Sequence, residues 1–278
     1  MTLSRLSDVI GGNTRRGELA VGIYLVPGFP SWSASLEALR LCVRHDVDFI
    51  EFPAISDPPR ARGASERQRA SPAARRPEPQ WSPRTGQLIA RALRDAEPGS
   101  EAHRLEWLLR APVRVAIVYG SAWPSPAAWS APSSLRAGVS GYLFETDPPD
   151  ITDYALAAAK DGAVVIPAVD ATAAGLSDAD RRVISRGGGF VYASLGPNTG
   201  TRAASLDDLQ RKRAEVQSLR PDLPVCAAFG ISEPAGVEEL RGSGACDGVI
   251  IGTAAMAKLE AGTSAFAGWL KGIMAAAK

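Results

Sequence analysis

Residues 47–59, with the sequence VDFIEFPAISDPP, are the most informative stretch of this chain. They begin with a short run of β-branched and aromatic residues, which is typical of a strand buried on both faces. One carboxylate, Glu51, lies within this run, and the run then ends in the turn sequence Ser56-Asp57-Pro58-Pro59. Because an unpaired acid is costly to bury, an acid near the carboxyl end of a buried strand indicates a catalytic group.

The same pattern of apolar runs separated by helical segments continues through nearly the whole chain. Eight strands are predicted, at residues 19–26, 47–52, 113–119, 141–145, 163–168, 189–193, 224–228 and 248–251. Strands that alternate with helices pair in parallel through right-handed crossovers. The predicted fold class is therefore α/β: a (β/α)8 TIM barrel that forms a single domain over residues 1–278, with an extra N-terminal helix at residues 2–10 that covers its bottom. A doubly wound open sheet is the alternative.

One segment, residues 58–80, interrupts this alternation after the second strand. It is rich in arginine and proline and contains no large aliphatic residue. Such a segment buries too little apolar surface to order itself, so the sequence predicts a long mobile loop. Loops that follow barrel strands form the reactive face, which makes this loop a candidate active-site lid or docking element. A tolerated surface insertion is the alternative.

The composition argues against several classes of protein. A formal net charge of +1 over 278 residues gives no sign of nucleic-acid binding. No segment resembles a signal peptide or approaches the length of a membrane span. The three cysteines are widely spaced in apolar contexts and are expected to be buried thiols, and no zinc-ligand spacing exists. We expect a cytoplasmic protein with no metal, no cofactor, no nucleic-acid partner and no membrane association.

Two glycine-containing motifs late in the chain predict an anion site. Phe229-Gly230-Ile231-Ser232 follows the seventh predicted strand, and Gly252-Thr253 follows the eighth. In TIM barrels the loops at these positions often bind phosphate, because glycines admit backbone N–H groups and helix starts add positive dipole. The loop that contains Thr199 and Gly200, after the sixth strand, can close a third side. A tight turn that needs positive φ is the alternative explanation for each glycine.

Two more residues at strand ends are expected to face the same rim as Glu51. Tyr119 ends the third strand and Glu145 ends the fourth. The Tyr119 phenol either lines a flat substrate or packs in the core, whereas Glu145 needs a partner at such a position. No serine lies in a nucleophile-elbow context with a plausible histidine partner. The catalytic candidates are therefore Glu51 and Tyr119, with Glu145 among the substrate-binding candidates.

Together these residues resemble the tryptophan synthase α-subunit family over roughly residues 22–258. The similarity is most specific in Tyr24-Leu25-Val26-Pro27-Gly28-Phe29-Pro30, Asp48-Phe49-Ile50-Glu51 with Ser56-Asp57-Pro58, Val118-Tyr119, and the two glycine motifs. Members of this family are (β/α)8 barrels that cleave indole-3-glycerol phosphate into indole and glyceraldehyde 3-phosphate. The resemblance implies a carbon–carbon lyase, a phosphorylated aromatic small molecule as its ligand, and a tryptophan synthase β-subunit-like protein as a partner.

The resemblance also implies roles for single residues. Glu51 matches the glutamate that moves protons at the indole ring, and Tyr24 and Tyr119 fall on positions that line the indole pocket. Asp57 matches a family residue with a more structural role. Four residues fall on phosphate-binding positions: Gly200, Gly230, Gly252 and Thr253.

The second catalytic carboxylate of the family is not in its expected place. The loop aspartate that accepts the glycerol hydroxyl proton falls at Ala61 or Arg62, and neither side chain can act as a base. Glu145 and Asp57 are the candidates to replace it. Two alternatives follow: a non-catalytic homologue that binds a phosphorylated ligand and docks on or regulates a partner enzyme, and a same-fold enzyme with new Glu51-dependent chemistry.

Overall fold

The computed structural model describes residues 5–26, 29–55, 113–118, 139–144, 151–160, 162–196 and 202–278. Five of the candidate site residues lie outside these ranges: Asp57, Tyr119, Glu145, Thr199 and Gly200. The Arg/Pro-rich segment at residues 58–80 also lies outside them.

The described strands pair in parallel and form one sheet. They are β1 Ala20–Tyr24, β2 Phe49–Ile55, β3 Val113–Val118, β4 Gly141–Phe144, β5 Val164–Ile166, β6 Ala168–Asp170, β7 Val191–Ser194, β8 Val225–Ala228 and β9 Gly248–Ile251. The sheet order is β5-β4-β3-β2-β1-β9-β8-β7-β6. Since only Pro167 separates β5 from β6 along the chain, the two ends of this order meet and the sheet closes. The barrel prediction is confirmed, and the open doubly wound sheet is excluded.

The fifth barrel strand differs from its prediction as one run over residues 163–168. It consists of two short pieces, β5 pairing with β4 and β6 pairing with β7. Pro167 divides them because proline has no N–H to donate to a neighbouring strand. Its carbonyl still accepts a hydrogen bond from the backbone N–H of Tyr192 at 2.8 Å. The second piece, β6, ends at Asp170, two residues beyond the predicted end of the strand.

Helices follow most strands and cover the outside of the barrel. They are α1 Arg5–Arg15, α2 Trp32–Arg44, α3 Ile151–Lys160, α4 Asp178–Arg186, α5 Leu206–Leu219, α6 Pro234–Ser243, α7 Thr253–Glu260 and α8 Thr263–Ala277. Serine side chains cap the starts of α2, α4 and α5 and satisfy a backbone N–H group there. In contrast, α6 and α7 begin with no side-chain cap.

The N-terminal helix α1 closes the amino-terminal end of the barrel. Leu6 and Ile10 are fully buried and belong to the cluster of apolar side chains inside the barrel. The prediction that this helix ends at residue 10 was wrong, because the helix continues through two glycines to Arg15. Two contacts hold its last turn: Asn13 donates to the Asp48 carboxylate at 2.7 Å, and the Thr14 hydroxyl donates to Asp247 at 3.4 Å.

The barrel interior is filled by side chains that alternate along each strand. A Cβ on Gly22 would lie 2.2 Å from the nearest atom of the Phe49 ring, so glycine in β1 leaves the space that this ring occupies. Apolar residues on the outer faces of the strands pack separately against the helices. All three cysteines are buried and free, as predicted. Among the described residues, no helix is long and apolar enough to cross a membrane.

Candidate active site

Glu51 lies inside the barrel, in β2. It is 1% exposed, and within the described part of the chain its Oε1 atom has no hydrogen-bond partner. Burial in apolar surroundings disfavours the charged form, which raises the pKa of Glu51 to about 8. Glu51 is therefore mostly protonated at neutral pH, and it can donate a proton to a molecule that enters the barrel.

Two tyrosines lie close to this carboxyl group. Tyr24 in β1 is the direct partner of Glu51 in the parallel pairing of β1 and β2. Tyr192, in β7, is buried inside the barrel. Burial raises the pKa of Tyr192 well above its ordinary value, and the nearby Glu51 and Tyr24 raise it further. The three side chains form a polar group within a mostly apolar interior.

Sequence reasoning missed Tyr192. Its strand was predicted over residues 189–193 and lies at Val191–Ser194, but the position of Tyr192 opposite Glu51 depends on the closure of the barrel. The available signal was the alternation within the strand, since Phe190 and Tyr192 occupy alternate positions on the interior side.

On one side of this group, Tyr24 borders the start of α7. A Cβ on Gly252 would lie 3.4 Å from the Tyr24 Cβ, so the backbone of this loop runs beside the tyrosine. Thr253 is the first residue of α7, and Gly252 provides no side chain to cap it. The first N–H groups of a helix lack intrahelical acceptors and carry its positive dipole end. This helix start can therefore receive an anion.

On the other side of this group, Tyr192 contacts the loop that follows β8. The rings of Tyr192 and Phe229 pack edge to face, with centroids 5.8 Å apart. Phe229 and Gly230 both have left-handed backbone conformations, with φ of 76° and 66°. A Cβ on Gly230 would lie 2.5 Å from the Arg202 Cβ and 2.7 Å from its backbone nitrogen, so glycine is required by both conformation and space.

Two ion pairs lie near this loop. Arg202, whose backbone and Cβ lie beside Gly230, pairs through its guanidinium with Glu239 of α6 at 2.7 Å. Glu233, which precedes α6, pairs with Lys258 of α7 at 3.2 Å. The second uncapped helix start, that of α6, follows directly from the glycine loop, and Ile231 is buried within that loop.

A second carboxylate, Asp170, lies at the carboxyl end of β6. Ile166 and Ala168 contact the interior cluster and Val169 the outer one, so alternation places Asp170 on the inner side of its strand. Its Oδ1 atom accepts hydrogen bonds from the Thr172 backbone N–H at 2.8 Å and the Thr172 hydroxyl at 2.7 Å. Sequence reasoning missed Asp170 because the predicted strand stopped at Ala168.

The structure thus brings together six of the predicted site residues at the interior and carboxyl-terminal end of the barrel: Tyr24, Glu51, Gly230, Ile231, Gly252 and Thr253. Among the residues that the structure describes, no group of three or more His, Cys, Asp or Glu side chains can hold a metal ion. In the part of the chain that the structure describes, it is an α/β-barrel protein with a buried acid, Glu51, inside the barrel and uncapped helix starts after its last two strands.

Comparison with known proteins identifies the relatives of this barrel. The family model for the tryptophan synthase alpha chain matches residues 133–270. The tryptophan synthase alpha chain of Citrifermentans bemidjiense is 28% identical over 265 residues, which cover 93% of this chain and 90% of that protein. The chain is thus similar in sequence to tryptophan synthase alpha chains, and the resemblance predicted from its motifs is confirmed.

Solved structures show the same fold. The structure of Mycobacterium tuberculosis tryptophan synthase matches with a TM-score of 0.70 and 20% identity, covering 99% of both chains. The tryptophan synthase subunit alpha from Legionella pneumophila matches with a TM-score of 0.64 and 17% identity, covering 99% of this chain and 98% of that one. Both comparisons confirm the (β/α)8 barrel.

Proposed function

We propose that this protein is a carbon–carbon lyase of the tryptophan synthase alpha type, which cleaves indole-3-glycerol phosphate or a related aromatic glycerol phosphate. The observation that carries the proposal is the buried Glu51 carboxyl group beside Tyr24 and Tyr192. An acid with a pKa of about 8 in an apolar site is suited to donate a proton at neutral pH.

The proposed reaction is a retro-aldol cleavage. Glu51 donates its proton to the indole ring carbon that carries the glycerol chain. The bond between that ring carbon and the adjacent glycerol carbon then breaks, and its electron pair restores the aromatic ring. The hydroxyl on the glycerol carbon loses its proton and becomes the aldehyde of glyceraldehyde 3-phosphate. Tyr24 and Tyr192 supply flat surfaces beside the ring.

The hydroxyl proton requires an acceptor, and Ala61 or Arg62 stands where the family has its loop aspartate. We assign this role to Asp170. Its inward position at the carboxyl end of β6 and the two hydrogen bonds from Thr172, which fix one carboxylate oxygen, support the assignment. Because these bonds hold Oδ1, the orientation of the whole carboxylate is fixed, and Oδ2 is left to accept the hydroxyl proton as a general base.

The phosphate group is proposed to bind between the starts of α6 and α7. The backbone N–H groups at Gly230 and Gly252, the Thr253 hydroxyl and the two helix dipoles supply the donors and positive potential. A tryptophan synthase β-subunit-like protein is proposed as the partner, on the strength of the family relationship.

The test is to follow indole release from indole-3-glycerol phosphate by the purified chain, alone and with a β-subunit. Release of indole that the β-subunit accelerates supports both the activity and the partner. Substrate binding without indole release, in either mixture, would overturn the lyase proposal and favour the non-catalytic ligand-binding homologue, for which the missing loop aspartate is the supporting observation.

A further inference from the structure

The C-terminal helix α8 contacts the loop after β8 through a tryptophan side chain. The Trp269 indole N–H donates a hydrogen bond to the Ser232 carbonyl oxygen at 2.8 Å, linking two parts of the chain that are 37 residues apart. Trp269 is 7% exposed, so little water competes for this bond. The contact therefore fixes one peptide group of the glycine loop from the outside of the barrel.

Packing holds the indole ring in this position. The fully buried Phe266 lies one turn earlier in α8, and its ring centroid is 5.7 Å from that of Trp269. One turn later, a Cβ on Gly272 would lie 3.0 Å from Pro234, the first residue of α6. The helix start thus rests directly against α8, and the Trp269 hydrogen bond forms within a packed contact.

The direction of this hydrogen bond has a consequence for the neighbouring N–H group. The Ser232 carbonyl and the Glu233 N–H belong to the same planar trans peptide and point in opposite directions. Because Trp269 holds the carbonyl toward α8, the Glu233 N–H is directed away from α8. That N–H is the one that immediately precedes α6, at the helix start proposed to receive phosphate.

The loop has a second reason to need an external support. Phe229 has φ of 76°, and a left-handed conformation at a residue with a Cβ costs about 1–3 kcal/mol. Such a conformation persists only where the surrounding contacts determine it. Tyr192 packs on Phe229 from inside the barrel, and Trp269 fixes the same loop from outside.

We propose that Trp269 is a positioning residue of the anion site: it orients the Ser232–Glu233 peptide so that the Glu233 N–H is presented to the phosphate group of the ligand. The inference rests on the phosphate site described under the proposed function. Under this proposal, α8 controls the geometry of the anion site through Trp269.

The test compares Trp269→Phe with Val216→Ala in the full chain. Trp269→Phe keeps an aromatic ring and removes the N–H donor, whereas Val216→Ala, at a fully buried position in α5, weakens the core packing and leaves the donor and its surroundings in place. Titration calorimetry with inorganic phosphate is the first readout, and amide hydrogen exchange of residues 229–233 without ligand is the second. Both variants are expected to lower the melting temperature.

Trp269→Phe is expected to weaken phosphate binding roughly 5- to 20-fold and to speed amide exchange in the loop, as expected for the loss of one positioning hydrogen bond. Val216→Ala is expected to bind phosphate as the wild type does. If the wild type binds phosphate and Trp269→Phe binds it equally well, the positioning role is wrong while the anion site stands. If the wild type binds no phosphate, the anion site and the positioning role both fail.

Discussion

Tyr24 and Glu51 lie opposite each other in β1 and β2, so the phenol and the buried acid are neighbours inside the barrel. This pairing connects the two halves of the proposed site. Glu51 lies where proton transfer would occur, and Tyr24 runs alongside Gly252, where phosphate would bind. Register between two adjacent strands therefore sets the spacing between the acid and the anion site.

The raised pKa of Glu51 predicts a basic limb in the pH dependence of cleavage. The proposed general acid must be protonated, so kcat/KM is expected to fall about tenfold per pH unit above about pH 8. The measurement is kcat/KM for indole release between pH 6 and pH 9.5. Asp178→Asn, at an exposed position in the first turn of α4, should give the same profile. A rate that increases up to pH 9 would show that Glu51 does not act as the acid.

The same burial predicts how stability depends on pH. The folded protein holds a proton on Glu51 up to about pH 8, whereas the unfolded chain releases it near its ordinary pKa of 4.5. Between these values the folded state binds more protons, so the free energy of unfolding decreases as pH increases. Glu51→Gln carries a neutral group of similar shape and lacks this dependence.

Urea unfolding at pH 5 and pH 9 measures this effect. Relative to Glu51→Gln, the wild type is expected to lose on the order of a few kcal/mol between the two pH values. The comparison cancels Asp48 and other titrating groups that both proteins share. Equal losses in the wild type and the variant would mean that Glu51 is ionised in the folded protein at neutral pH.

Gly230→Ala is expected to disrupt the anion site. The new Cβ would meet Arg202 at 2.5 Å in a left-handed backbone conformation, so the loop must move. We expect phosphate binding to weaken by at least tenfold, about 1.4 kcal/mol, measured by calorimetry. Gly244→Ala controls for left-handed strain without a clash, and Gly236→Ala controls for a helical site with open space. Normal binding by Gly230→Ala would place the phosphate elsewhere.

Asp170→Asn tests the proposed base. Removing one member of an acid–base pair typically lowers the rate by about 10²- to 10⁴-fold, so kcat should fall in this range while phosphate affinity stays unchanged. Asparagine keeps the size of the side chain and an oxygen that accepts from Thr172. A variant with wild-type kcat would assign the proton acceptor to a different group.

The sequence predicted the barrel well because its strands are buried on both faces and read as continuous apolar runs. Glu51 stood out for the same reason, as a charge inside such a run. The division of the fifth barrel strand at Pro167 was not predicted, because it depends on how the two pieces pair with different neighbours, β5 with β4 and β6 with β7. Tyr192 and Trp269 were missed because their contacts join segments that are distant in the sequence, and Asp170 was missed because the predicted strand ended two residues before it.

The measurement that tests the central claim most directly is the rate of indole release by the wild type and Glu51→Gln, at saturating indole-3-glycerol phosphate and neutral pH. Phosphate affinity, measured on the same preparations, confirms that each retains the anion site. We predict measurable indole release by the wild type and a rate at least about 10²-fold lower for Glu51→Gln, with equal phosphate affinity. Equal rates for the two proteins, or no release by a wild type that binds phosphate, would contradict the assignment of Glu51 as the proton donor of a lyase.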